Sequence, residues 1–342
     1  MSPTATALPL TAKDLASDQE VRWCPGCGDF SVLAVLKQVL ASLGVPRERL
    51  VFVSGVGCSS RLPYYLNAYG FQTLHGRAPT VATGLKLIRP DLSVWVVTGD
   101  GDGLSIGGNH LIHALRRNVD IKILLFNNEV MGLTKGQYSP TSRAGTRTRA
   151  NPCGSVDEPL RPLTLAVAAE ATFVARTIDV DVNHLTETLR RAAAHRGAAF
   201  VEIYQNCKVF NDGVFEYATD RGVKADNLVY LEHGRPLVFG QDRTRGVRLR
   251  GLRPEAVSLT NGNAAAAADL LVHDEADPDT TLAHLLSRMV YPELPECVGV
   301  LRCVRRPTYE ELIDGQIAEA VREQGPGEME ELFAGEDAWV VE

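Results

Sequence analysis

The residues of this chain best suited to chemistry fall into five short segments. These are CPGCG at 24–28, GVGCSSR at 55–61, GDGDG at 99–103, NNEVMGLTKGQ at 127–137 and QNCKVFND at 205–212. In GDGDG the glycines permit tight turns and close approach of a ligand. A helix following it would offer free N–H groups and a positive dipole end, which suit phosphate. Asp100 opposes that use, because a carboxylate repels phosphate unless a cation stands between them. Mg²⁺ resolves the conflict, since it takes carboxylate, amide and backbone oxygens while keeping phosphate oxygens in its shell. Taken alone, GDG is equally a strand-to-helix turn with Asp100 as its N-cap. GDGDG is not GxGxxG, and the chain has no GxxxxGK[ST], so dinucleotide and P-loop readings are weak. The chain has 7 cysteines. Cys24 and Cys27 form one CxxC knuckle, and Cys58 and Cys207 each sit in a polar loop. Together they make a candidate tetrathiolate, which would take zinc or a [4Fe–4S] cluster. Cys153, Cys297 and Cys303 read as ordinary cysteines, with Cys153 in a loop.

The elements that must position these residues can be read from the apolar runs. Strands are expected at 50–54, 93–98, 121–126, 172–177 and 199–204, each an unbroken apolar run suited to burial on both faces. Helices are expected at 29–43, capped by Asp29 and ended by Gly44, and at 79–89, 104–117 and 182–195, the last capped by Asp179 or Asp181. Strands alternating with helices predict an α/β fold with a mainly parallel sheet and helices on both faces. Four of the five strands run straight into the polar loops at 55, 99, 127 and 205. In an open parallel sheet ligands bind beyond the carboxyl ends of the strands, so chemistry should gather on that one edge. Residues 1–19 read as an N-terminal extension and 20–240 as the cofactor-binding domain. Residues 241–342 read as a C-terminal appendage that wraps a partner or the core. Within it, 243–253 holds five arginines on a solvated strand face or a partner or CoA-phosphate contact, 255–280 a tether or surface helix, and 308–323 a helix.

Composition narrows the function classes. The 342 residues carry a net charge of −7 and a sequence pI near 5.7, which disfavours nucleic-acid binding through a basic face. No apolar run approaches the ~20 residues of a membrane span. The opening MSPTATALPLTAKD lacks the basic region of a secretory signal, so the expected compartment is the cytoplasm. An odd cysteine count there points to metal, redox or burial, not a disulfide framework.

A GDG loop, a helix, a strand and then Asn127-Asn128 is the order seen in thiamine-diphosphate enzymes, which the chain resembles at this point. The fuller series WCPGCGDF, GVGCSSR, LHGRAP, GDGDGLSIGGNH, NNEVMGLTKGQYSPT and QNCKVFND resembles the beta subunits of the 2-oxoacid:ferredoxin oxidoreductases, most closely those acting on 2-oxoglutarate. The resemblance covers about residues 20–240. It implies a thiamine diphosphate-binding fold, with Mg²⁺ held by Asp100, Asn128 and the Val130 carbonyl. It implies thiamine diphosphate against Gly57, Cys58, Ser59, Gly101, Asp102, Gly132 and Leu133, and one [4Fe–4S] cluster on Cys24, Cys27, Cys58 and Cys207. Leu133 is then the candidate wedge that bends the cofactor, with a core leucine as the alternative. His75 is a candidate donor to substrate or cofactor, or a structural histidine. Lys135 is a candidate clamp for a distal substrate carboxylate, or a surface lysine. His110 and His113, spaced like a metal pair, lack a third ligand and read as packing residues.

The implied reaction converts a 2-oxoacid, CoA and oxidised ferredoxin reversibly into acyl-CoA, CO₂ and reduced ferredoxin. The glutamate that activates thiamine has no matching motif here. In the family it comes from the alpha subunit, which implies an obligate heteromer, (αβ)₂, with ferredoxin, CoA and 2-oxoacid as its other partners. Pyruvate and branched-chain 2-oxoacids remain alternative substrates. A redox-silent thiamine enzyme with structural zinc, or a non-catalytic metal-binding module, remain alternative functions.

Overall fold

The computed structural model describes residues 10–259, 269–335 and 339. Its strands are β1 (Leu50–Ser54), β2 (Tyr69–Gln72), β3 (Ser93–Gly99), β4 (Lys122–Asn127), β5 (Phe173–Ile178), β6 (Ala199–Tyr204), β7 (Leu228–Tyr230), β8 (Val238–Phe239), β9 (Arg245–Arg250), β10 (Arg253–Ser258) and β11 (Glu296–Cys303). The principal helices are α1 (Asp29–Ser42), α2 (Ala78–Ile88), α3 (Asp100–Leu104), α4 (Gly108–Arg116), α5 (Pro162–Ala168) and α6 (Val182–Ala194).

Eight strands form one sheet in the order β2-β1-β3-β4-β6-β5-β11-β7. All neighbours pair in parallel except β11 with β5. Alternate residues of each central strand enter opposite faces. On one face Val51, Val53, Val94, Val96, Ile123 and Leu125 pack with residues of α2, α4 and α5. On the other, Leu50, Phe52, Trp95, Val97, Leu124 and Phe126 pack with α1 and α6. Both faces are dry, which is why the strands carry no polar alternation. Each fully buried Val, Leu or Phe contributes about 1.5–3 kcal/mol.

Two expectations are corrected and one choice is settled. Asp29 does not cap α1. Gly28 holds the N-cap position and makes no side-chain cap, while Asp29 is the first helical residue and is buried. Gly28 is required there because a Cβ would stand 1.8 Å from Asp179 Oδ2. The helix expected over 104–117 is two pieces, since Ser105 leaves helical geometry at φ −81°, ψ −107° and Gly107-Gly108 follows, a pair that resists continuous helix. The α6 cap is Asp181, which accepts from the His184 N–H at 3.3 Å.

The region after 240 is also not simply an appendage. β11 lies inside the main sheet between β5 and β7, with Val298 and Leu301 fully buried. Its run ECVGVLRC begins on Glu after Pro295 and carries Gly and Arg within it, a weak signal that pairing with β5 and β7 makes a strand. β8, β9 and β10 form a separate three-stranded sheet. There Arg245, Arg250 and Arg253 are exposed, while Arg248 pairs with Glu255 at 2.6 Å. The helix expected at 308–323 is Tyr309–Gln324, started by a Thr308–Glu311 capping box. Residues 260–268, within the expected tether, lie outside the described residues. Among the described residues no helix is long and apolar enough to cross a membrane.

Candidate functional site

The four strands that run into polar loops, β1, β3, β4 and β6, are consecutive neighbours in the sheet. Their carboxyl ends therefore deliver residues 55–61, 99–103, 127–137 and 205–212 to one rim. Two cavities open there. The first, of about 280 Å³, is lined by Gly57, Cys58, Ser59 and His75, by Asp100, Gly101 and Asp102, and by Asn128, Val130, Met131, Gly132 and Leu133. The second, of about 190 Å³, is lined by all four knuckle and loop cysteines, Cys24, Cys27, Cys58 and Cys207, with Lys135 on its edge. Cys58, Asn128, Gly132 and Leu133 line both cavities. A wall of these side chains is all that separates the spaces.

In the first cavity the oxygen donors expected for a hard cation come together. Asp100 is 2% exposed, and its Oδ2 accepts from the Ser139 and Thr141 hydroxyls, each at 2.6 Å. Burial lifts its carboxyl to about 6 despite those two donors. Asn128 donates from Nδ2 to Gln205 Oε1 at 2.7 Å, which fixes its amide and turns Oδ1 toward the Val130 N–H at 3.2 Å. Carboxylate, amide and backbone carbonyl on one cavity wall fit Mg²⁺. The Gly-rich turns beside them leave room for a diphosphate.

Asp102 lines the same cavity, and its carboxylate also holds the surrounding loops. Oδ1 accepts from the Val56 N–H at 3.1 Å, the Gly76 N–H at 2.7 Å and His75 Nδ1 at 2.6 Å, and Oδ2 from the Thr98 hydroxyl at 2.6 Å. Its carboxylate ties the loops at 55, 75 and 99 together. The bond places the His75 proton on Nδ1 and leaves Nε2 as the free ring atom.

The cysteine cavity is bound to the first by polar contacts. Gln205 is fully buried; its Nε2 donates to Cys27 Sγ at 3.2 Å while its Oε1 holds Asn128. Trp23 Nε1 donates to the Cys58 carbonyl at 2.7 Å. Gly28 N–H donates to Asn206 O at 3.1 Å, and Asn206 N–H donates to Asp179 Oδ2 at 2.9 Å, fastening the knuckle to the loop of Cys207. Gly132 faces two sulfurs: a Cβ there would stand 3.5 Å from Cys207 Sγ and 3.7 Å from Cys58 Sγ. Burial pushes the Cys58 thiol up to about 11 and raises those of Cys27 and Cys207. Among the described residues no three His, Cys, Asp or Glu side chains converge on a single-ion site. The four thiols line one cavity, a donor set of the kind that takes either zinc or a [4Fe–4S] cluster.

Lys135 is exposed, has a positive φ of 76° and does not line the first cavity. Leu133 stands in the shared wall and is 39% exposed. His110 and His113 lie on α4 and line neither cavity. Cys153 is exposed, Cys297 buried and Cys303 half-buried. Sequence reasoning missed Ser139, Thr141 and Gln205. The only sign was position, hydroxyls just past NNEVMGL and an amide two residues before Cys207.

A strand-end rim with this donor set is that of the thiamine-dependent enzymes. The family model described as thiamine pyrophosphate enzyme, C-terminal TPP binding domain, matches residues 55–203. The 2-oxoglutarate oxidoreductase subunit KorB of Mycobacterium tuberculosis is 50% identical over 340 residues, 98% of this chain and 90% of that one. The 2-oxoacid:ferredoxin oxidoreductase subunit beta of Saccharolobus solfataricus is 44% identical over 207 residues, 60% of this chain and 68% of that one. Among solved structures, 2-oxoglutarate:ferredoxin oxidoreductase from Magnetococcus marinus, with 2-oxoglutarate, coenzyme A and succinyl-CoA bound, superposes with a TM-score of 0.75 at 32% identity, covering 95% of each chain. The chain belongs to the beta subunits of the 2-oxoacid:ferredoxin oxidoreductases.

Proposed function

We propose that this chain is the beta subunit of a CoA-dependent 2-oxoglutarate:ferredoxin oxidoreductase, making succinyl-CoA and CO₂ reversibly. The observation that carries the reading is the shared wall between the oxygen-lined and the sulfur-lined cavities. Asp100, Asn128 and the Val130 carbonyl would hold Mg²⁺ and with it the diphosphate of thiamine diphosphate. Cys24, Cys27, Cys58 and Cys207 would hold one [4Fe–4S] cluster. When bound, thiamine diphosphate supplies carbanion stabilisation and the cluster one-electron transfer. The chain's own residues bind and orient. Gly57, Ser59, Gly101 and Asp102 shape the diphosphate end, Gly132 brings the backbone between the two centres without a side chain, and Leu133 stands in the wall as the wedge that bends the cofactor. His75, steered by Asp102, presents Nε2 for a proton or hydrogen bond. Lys135, exposed at the edge of the second cavity, is assigned to the distal carboxylate of the substrate.

The relatives' names support an alpha-subunit partner and ferredoxin as electron acceptor. We assign the heteromer (αβ)₂ and a cytoplasmic location, with CoA and 2-oxoglutarate as substrates. The test is anaerobic purification of the chain alone and with its alpha subunit. The pair should contain iron and reduce a viologen dye only when 2-oxoglutarate and CoA are both present, and the chain alone should be inactive. Turnover by the single chain, or zinc in place of iron, overturns the reading. In the active pair, Lys135→Ala should impair 2-oxoglutarate more than pyruvate; equal loss removes Lys135 from substrate recognition.

A further inference from the structure

A buried line of polar side chains runs from the C-terminal strand to the cation site. Glu296, on β11, accepts at Oε2 from the Tyr204 and Tyr217 hydroxyls at 2.8 and 3.0 Å and stands 3.7 Å from Arg176 Nη1. Arg176, on β5, donates from Nε to Glu202 Oε2 at 2.9 Å. Glu202, on β6, accepts at Oε1 from Asn127 Nδ2 at 2.7 Å. The Thr141 hydroxyl lies 2.9 Å from Asn127 Oδ1 and 2.6 Å from Asp100 Oδ2. Glu296, Arg176, Glu202, Asn127, Thr141 and Asp100 are each 5% exposed or less.

Glu202 sits mid-sheet among apolar neighbours, fully buried. Packing alone does not ask for an ion pair there, because well-fitted apolar residues do as well or better in such places. What the pair supplies is orientation. An anion at Glu202, held in place by Arg176, requires the Asn127 amide to present its N–H₂ and so turns Oδ1 toward Thr141. The Thr141 hydroxyl is then confined between Oδ1 and the carboxylate of Asp100. We infer that Glu202 is a positioning residue of the cation site, acting through Asn127 and Thr141 on the carboxylate of Asp100. Through Arg176 and Glu296 the same line ties that site to a strand outside residues 55–203. The inference rests on the reading of Asp100 as a Mg²⁺ ligand.

The test uses the alpha–beta complex and measures binding of Mg²⁺ with thiamine diphosphate by titration calorimetry, with iron content as a second readout. Glu202→Gln should weaken binding about tenfold, the usual effect of losing an outer partner of a metal ligand, and leave iron content unchanged. Thr141→Val should do the same, whereas Thr141→Ser, which keeps the hydroxyl, should bind as wild type does. Because both substitutions cut one line, the double variant should bind no worse than the weaker single one. A Glu202→Gln complex that binds within about twofold of wild type overturns the inference, and so do effects that multiply in the double variant. If Glu202→Gln does not fold, the cycle is run with Asn127→Ala and Thr141→Val, where multiplying effects are equally decisive. Failure of the wild-type complex to bind would instead overturn the cofactor reading, and this inference with it.

Discussion

Asp102 tests whether the cavity rim is held by one carboxylate. Asp102→Ala removes the acceptor for two backbone donors, the buried N–H of Gly76 and the part-buried N–H of Val56. Each buried donor left unpaired costs about 1–3 kcal/mol. The other two donors recover more easily: His75 is 44% exposed on its side chain, and the Thr98 hydroxyl has the Gly99 carbonyl within 3.3 Å. With the Gly76 N–H fully and the Val56 N–H partly shielded, the expected loss is about 3 kcal/mol. Asp102→Asn should behave differently. Its amide oxygen in the place of Oδ1 still meets Val56, Gly76 and His75, and Thr98 can turn to accept from the amide nitrogen. Only the charge assistance is lost, so the cost should be about 1–2 kcal/mol. The assay is urea unfolding of both variants at neutral pH, read from the midpoints at unchanged slope. Equal losses for Ala and Asn, or a loss below about 1 kcal/mol for Ala, would refute the argument that Oδ1 is the tie between these loops.

Two further outcomes follow from the geometry. His195 is 8% exposed, with Nε2 at 2.7 Å from the Thr172 hydroxyl. Burial, reinforced by Lys122 and Arg305 and opposed by Asp120, lowers its pKa to about 4 from an ordinary 6.5. The neutral ring is thus preferred in the fold; its stabilisation is complete above 6.5 and is lost as pH falls toward 4. Between about pH 7.5 and 5 wild type should lose about 2 kcal/mol more than His195→Gln, and parallel unfolding curves for the two would show that His195 does not titrate this way. At the knuckle, Gly28→Ala would set a Cβ 1.8 Å from Asp179 Oδ2 and 3.0 Å from the Asn206 N–H, costing up to about 3 kcal/mol and pushing the Cys207 loop outward. Iron content of the purified complex should fall; wild-type iron with unchanged stability would contradict the close approach.

The sequence by itself determined the class of fold and the edge on which chemistry gathers. Burial on both faces leaves unbroken apolar runs, and function leaves Asp, Asn and Cys where those runs stop; both are local signals. All five expected strands and three of the four helices accordingly lie where the runs place them. Only the tertiary structure decided which strands are neighbours, and with that which loops meet. It made β11 a strand, because ECVGVLRC gains its partners from β5, over a hundred residues earlier in the chain. It gave Asp29 a buried place instead of a cap, because Asp179 and Asn206 press on Gly28. It showed Asp102 as a tie between loops and recruited Gln205, Thr141 and Glu202 around the site. Such roles depend on donors and acceptors brought within 3 Å from distant segments. Spacing along a chain records what one segment can do, and the pairing of segments is settled only when the sheet closes over its two cores.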